Sequence, residues 1–239
     1  MPEGSEEKPK EEPKPIEEPK EDEPVTPIVI EEDVEYARQF YKNGLYILES
    51  SPGNIYTSNF GSTLHSKGVY GINGSFFINS GSNPNNAVTI MINNGKALVD
   101  NAQFNGWNSP PRPVLYYANG RLRYELAKSV NDLSTPISQI TWGVGGGSLL
   151  PHMDSKEKWG TDVTRAGARR TGLAMKGNKV YLIATKIGMT LPEFGDRIKQ
   201  AINPDYCLFL DGGGSTQFNY KGTNGIVSTR PVPNIIGVK

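Results

Sequence analysis

Along much of this chain, apolar and polar residues alternate with the period of two that marks half-buried strands, and small turn residues interrupt the alternation at short intervals. Val34, Tyr36, Arg38 and Phe40 lead into Lys42-Asn43-Gly44, and Leu45-Tyr46-Ile47-Leu48 follows. Asn-Gly between two such runs predicts a hairpin, because both residues tolerate the positive φ of a tight turn. The same device stands at Asn93-Asn94-Gly95, between runs 88–92 and 96–99, and at Ala118-Asn119-Gly120, between runs 113–117 and 121–126. Gly177-Asn178 joins 171–175 to 179–185 in the same manner. Further strands are predicted at 69–72, 140–144, 206–210, 217–220, 226–228 and 234–238. Helical signals are few: a short turn within 58–67, and a start at Thr190-Leu191-Pro192-Glu193 that should run to about Ala201. The pattern predicts an α+β fold, a large, mixed and mostly antiparallel sheet with few helices.

Composition divides the chain. Residues 1–33 are dominated by Glu, Lys and Pro and hold 13 acids against four bases. Such a segment buries too little apolar surface to offset its ordering entropy, so it is expected to be a disordered acidic linker. Residues 34–239 then form one domain, and they keep 12 acids and 21 bases, a net charge of +9. A basic domain suits an anionic substrate, although an acidic tail also serves solubility. The bases form no dense run, which argues against nucleic acid. One cysteine, Cys207, excludes an internal disulfide framework and a multi-cysteine metal cluster. No apolar stretch has the length of a membrane span, and Met1-Pro2-Glu3-Gly4 does not open a signal peptide. The expected setting is extracellular or cell-surface after removal of an upstream segment, or phage-encoded with release by lysis. Oligomeric state leaves no mark in the sequence.

Candidate chemistry gathers at turns rich in small residues, each after an apolar strand. Asp211-Gly212-Gly213-Gly214-Ser215-Thr216 follows Cys207-Leu208-Phe209-Leu210; Gly145-Gly146-Gly147-Ser148 follows strand 140–144; Asn73-Gly74-Ser75 follows strand 69–72. Consecutive glycines bring bare N–H groups close to a ligand, and such concave nests favour anions. If the turns share one end of a sheet they line a single polar pocket, with Arg169-Arg170-Thr171 before another strand. An acid in a plain turn has a simpler role, capping its own glycines. No Gly-Lys-Ser/Thr completes a P-loop and no G-x-S-x-G elbow is present. His65 and His152 stand apart, so a structural zinc is not expected.

In order, Asn73-Gly74-Ser75-Phe76-Phe77, the 145–148 turn, Arg170-Thr171, the 211–216 turn and Arg230-Pro231-Val232 resemble the phosphodiester glycosidase family over most of 34–239. Ser75 departs from a frequent glycine or small residue, and the paired cysteines of animal members are missing. The resemblance implies hydrolysis of a sugar 1-phosphodiester at the anomeric carbon, with a carbohydrate phosphodiester as substrate. It makes Asp211, Arg170 and Asn73 the catalytic candidates. Gly145, Gly146, Gly147, Gly212, Gly213, Gly214, Ser215, Thr216, Arg230 and Phe77 become candidate substrate contacts.

Chemically, a guanidinium fork suits a phosphate, which points to Arg170, with Arg230 as a second clamp. Asp211 serves as nucleophile, as base for water, or as stabiliser of an oxocarbenium-like transition state. Asn73 orients a sugar hydroxyl or acetamido group, or simply satisfies turn backbone. Among Asp154, Glu157 and Asp162 in the irregular segment 151–167, Asp162 is the candidate second carboxylate. No cofactor is expected; calcium or magnesium on Asp211 and loop oxygens stays open. The rival reading is a non-catalytic module that binds an anionic cell-wall polymer.

Overall fold

The computed structural model describes residues 36–78, 87–101, 110–222 and 225–239. The expected linker over 1–33 and the aromatic stretch around Phe104 and Trp107 lie outside the described residues. Fifteen strands are present among the described residues. They are β1 (Ala37–Lys42), β2 (Leu45–Ser50), β3 (Ile55–Ser62), β4 (Gly71–Asn73), β5 (Met91–Asn93), β6 (Lys96–Val99), β7 (Arg112–Ala118), β8 (Arg121–Ala127), β9 (Ile140–Gly145), β10 (Gly147–Leu150), β11 (Thr171–Lys176), β12 (Lys179–Thr185), β13 (Tyr206–Phe209), β14 (Phe218–Asn219) and β15 (Val232–Val238). The described residues also form two α-helices, α1 (Thr161–Thr164) and α2 (Leu191–Ala201), and several short 3-10 turns.

The strands divide among three sheets, ordered β1-β2-β12-β11-β13-β10, β6-β5-β9-β7-β8 and β14-β4-β15-β3. Every registered strand pair is antiparallel. The predicted hairpins close as expected: Asn43, Asn94 and Asn119 take φ of 53°, 45° and 51°, and each is followed by a glycine at positive φ. Of the stretch 58–67, where the sequence predicts one short helical turn, residues 58–62 instead continue β3 and pair with β15, and a hydrogen-bonded turn follows at 64–68, with Gly68 N–H donating to His65 O at 3.2 Å.

Side chains from all three sheets enclose one central core, among them Leu48, Ile72, Leu115, Trp142, Leu173, Leu208 and Ile236. A second core lies on the other face of the six-stranded sheet, under α2. Cys207 and Phe209 enter that second core while Leu208 and Leu210 enter the first. Burial on both faces is why this strand is apolar without alternation. In α2, Leu191, Phe194, Gly195 and Ile198 are the buried positions, and the Thr190 hydroxyl caps the helix by accepting from Glu193 N–H at 3.2 Å. Such a cap contributes about 1 kcal/mol.

Candidate active site

At one end of the six-stranded sheet, β13 stops at Phe209 and the chain bends through Asp211. Leu210 N–H still donates to Thr171 O at 2.9 Å, and Gly213 N–H donates to Arg169 O at 2.8 Å. Arg169 returns a bond from Nε to Gly213 O at 3.1 Å. A Cβ on Gly212 would stand 2.5 Å from Arg169 O, and Gly213 takes φ +60°. The run of glycines is therefore set by how tightly the bend lies against the segment before β11.

Asn73, at the end of β4, ties the bend to a different sheet. Its Nδ2 donates to Asp211 O at 2.8 Å, and its Oδ1 accepts from Gln217 N–H and Thr171 Oγ1, both at 3.0 Å. Asn73 is 1 % exposed. The sequence left open whether it orients substrate or satisfies backbone; the geometry commits its amide to backbone and to Thr171. Ser215 and Thr216 are fully buried beneath the bend. Ser215 Oγ meets no hydrogen-bond partner of good geometry, though it lies close enough to Asp211 to affect its charge.

A cavity of about 390 Å³ opens over the bend. Asp211, Gly212, Gly213 and Gly214 form its floor with Leu210, and Phe76, Phe77, Val163, Arg165, Ala168, Arg170 and Arg230 line its walls. Asp211 and Arg170 thus share one cavity. Asp211 is its single lining acid among the described residues. Burial pushes the Asp211 carboxyl up to about 6, against the lowering influence of Ser215, Arg230 and the Gly212 N–H.

Arg170 is buried, and its fork is engaged: Nε donates to Met189 O at 2.8 Å, Nη1 to Val163 O at 2.9 Å and Nη2 to Arg165 O. The expectation of a bidentate phosphate clamp meets a guanidinium that holds three backbone carbonyls. Its charge borders the cavity while its donors brace the wall. The exposed cations are Arg165 and Arg230. Arg165 Nη2 and Arg230 Nη1 lie 3.4 and 3.6 Å from where Cβ atoms would stand on Gly213 and Gly214. Arg230 also lies over the Phe77 ring, 5.1 Å from its centroid. Gln217 holds the Arg230 carbonyl at 2.9 Å, and Ser228 Oγ bridges Gly214 O and Arg230 N–H at 2.6 and 3.0 Å. Sequence reasoning missed Arg165 and Gln217. An arginine cluster spanning 165–170 was the visible signal for Arg165, while Gln217 carried none.

Gly145, Gly146 and Gly147 are a correction. They do not form an anion-binding turn; they carry the chain from β9 in the five-stranded sheet to β10 in the six-stranded one. Gly145 N–H donates to Ile90 O at 2.6 Å and Gly146 N–H to Pro113 O at 3.0 Å. A Cβ on Gly147 would run into the Phe209 ring, and one on Gly146 would stand 2.8 Å from Phe209 O. The glycines answer close packing, not a ligand. Ser75 reaches this crossing, donating from Oγ to Gly145 O. His65 and His152 do not line the cavity. The side chain of Asp162 lies outside the described residues, and Asp154 accepts from Lys156 N–H at 2.9 Å. Among the described residues no group of three or more His, Cys, Asp or Glu side chains could hold a metal ion. Among them, too, no helix is long and apolar enough to cross a membrane.

A sequence model of the phosphodiester glycosidase family matches residues 66–239, from ahead of Asn73 to the end of β15. The chain belongs to that family. It is a hydrolase of glycosidase type. Comparison with curated proteins returned no match. Among solved structures, the fold is similar to the catalytic domain of zebrafish N-acetylglucosamine-1-phosphodiester alpha-N-acetylglucosaminidase, auto-inhibited by its pro-peptide. That match has a TM-score of 0.61 at 14% identity and covers 85% of this chain and 81% of that one. A hypothetical protein from Synechocystis aligns at TM-score 0.51 and 15% identity, over 85% of this chain and 61% of its own. A Burkholderia pseudomallei protein aligns at TM-score 0.57 and 13% identity, over 81% and 73%. At such identities the likeness is one of fold. In this phosphodiester glycosidase, Asn73 holds the Asp211 bend from a second sheet, and the cavity opens above it.

Proposed function

We propose that this cavity hydrolyses a sugar 1-phosphodiester, of the N-acetylglucosamine-1-phosphate kind, on a glycan or cell-surface glycopolymer. The observation that carries the reading is the meeting of one carboxyl, poised at about 6, with the exposed guanidinium groups of Arg165 and Arg230 around a single cavity. Arg165 and Arg230 hold the phosphate, and Phe76 and Phe77 offer apolar walls to the sugar face or the aglycone. The family match and the likeness to a structure named for N-acetylglucosamine-1-phosphodiester cleavage support the substrate class.

The C1–O bond breaks, and its electron pair leaves with the phosphate as a phosphomonoester. Such a group departs readily, so demand for a strong general acid is modest. Positive charge then builds on the sugar ring, and ionised Asp211 stabilises it in a part-desolvated site. Asp211 also accepts the proton of the water that attacks C1. Turnover of both anomers of an N-acetylglucosamine-1-phosphate methyl ester, followed by release of reducing sugar, tests the proposal. Release of sugar that disappears in Asp211→Asn is the expected result. Full activity in that variant removes Asp211 from the chemistry.

A further inference from the structure

The segment between β10 and β11 carries four cavity-lining residues, Val163, Arg165, Ala168 and Arg170, and none belongs to a strand. Its fastening falls to two buried arginines, one beside β11 of the six-stranded sheet and one in β7 of the five-stranded sheet. Arg170, just before β11, holds Val163 O and Arg165 O. Arg112, the first residue of β7, holds the other end. It is wholly buried; its Nη2 donates to Glu157 O at 3.0 Å, and its Nη1 lies 3.7 Å from Glu157 Oε2. The Glu157 carboxylate also accepts Ser148 N–H at 3.1 Å on both oxygens and the indole N–H of Trp159. The Trp159 ring stacks on the Arg112 guanidinium at 3.8 Å and packs against Phe76, with centroids 4.6 Å apart. Gly160 follows Trp159 directly and starts α1, accepting from Val163 N–H at 3.1 Å.

We propose that Arg112 and Glu157 are positioning residues for the active site: they lock Trp159, and through it the Phe76 wall and the α1 segment that presents Arg165 to the substrate phosphate. A buried ion pair is a poor source of stability, since apolar side chains of similar volume often serve a core as well or better. What the pair supplies and an apolar pair does not is one fixed geometry for the loop. The carboxylate sets the indole edge, the guanidinium sets the indole face, and the indole sets Phe76. The inference rests on the proposed reading of the cavity, because Arg165 matters only if a phosphate binds there.

The test compares wild type with Arg112→Met/Glu157→Leu and with Glu157→Gln. Turnover of the sugar phosphodiester by wild type examines the reading itself, and the ratio of variant to wild type examines the positioning role. The expected result is a melting temperature within a few degrees of wild type for the apolar pair, with kcat/KM down about tenfold or more, mostly through KM. In an Arg165→Ala background the same pair should cause a clearly smaller loss, that of the loosened Phe76 wall alone, because the arginine it positions is gone. Amide hydrogen exchange at residues 160–165 should quicken at least tenfold, while amides of β11 and β13 keep their protection. Exchange is read without substrate, so it decides the positioning role even if wild type turns over no diester. Where the apolar pair fails to fold, Glu157→Gln decides, with a KM rise of about threefold to tenfold expected. Unchanged exchange at 160–165, KM within twofold of wild type, or a loss that simply adds to that of Arg165→Ala would overturn the proposal.

Discussion

Asn73 donates from its side chain to the backbone oxygen of Asp211 at 2.8 Å, across the join between two sheets. The same side chain accepts from Gln217 N–H at the far end of the bend. One buried amide therefore fixes the chain direction on both sides of the glycines, and with it the direction of the Asp211 carboxyl. Asn73→Ala takes a partner from the Gly74 and Asp211 carbonyls, Gln217 N–H and Thr171 Oγ1. The expected cost is about 2–4 kcal/mol in stability, and on the order of a hundredfold in kcat for the fraction that folds. Urea unfolding and steady-state kinetics on the same preparation check both. A loss confined to KM would contradict the positioning role.

Asp211→Asn should kill activity and stabilise the protein. The folded-state pKa of about 6 lies above the ordinary 3.8, so the folded protein keeps this proton where the unfolded chain has released it. Stability from this group is then full below about pH 4, falls as pH rises towards 6, and stays lowered above that. The deficit at pH 7 amounts to roughly 1–2 kcal/mol after allowance for solvent screening of a part-exposed carboxyl. Denaturant melts should show the Asn variant more stable than wild type at pH 7.5 and equal to it near pH 3.5. Activity should drop by about a thousandfold. Equal stabilities at pH 7.5 would argue against the raised pKa.

The pH profile follows from the same shift. If Asp211 acts ionised, kcat/KM rises with pH through about 6. A bound anionic diester disfavours a second negative charge, so the corresponding limb of kcat should lie at higher pH. A profile that falls through 6 would make Asp211 a proton donor.

Substitutions among the arginines should separate their roles. Arg165→Ala and Arg230→Ala each remove a charge-assisted contact worth about 1.5–3 kcal/mol, and KM should rise by roughly ten- to a hundredfold with small change in melting temperature. Arg170→Met instead leaves Met189, Val163 and Arg165 carbonyls unsatisfied, and its effect should appear first as lost stability. Melting curves and KM values for the three variants test this division. A stable Arg170→Met with a raised KM would return Arg170 to the phosphate.

The hairpins and the α2 start were legible because Asn-Gly and a capping threonine act through local conformation alone. The place of Asp211 on the cavity was legible because the acid ends an apolar strand and opens a run of three glycines, while its role was not, since the same acid also suits a turn cap. The Gly145–Gly147 crossing was not, since glycine is required equally by an anion nest and by a ring packed against backbone. In the 165–170 cluster, residue type was visible, but what each guanidinium meets depends on the carbonyls of Val163, Arg165, Met189 and Gly213, which are brought near only by the fold. Arg112 and Glu157, 45 residues apart, share no local pattern.

Hydrolysis in ¹⁸O-labelled water tests the chemistry most directly, with mass analysis of both products of an N-acetylglucosamine-1-phosphodiester. Attack at the anomeric carbon places the label in the free sugar and leaves the phosphomonoester unlabelled. Label in the phosphate, or no turnover of either anomer, would contradict it.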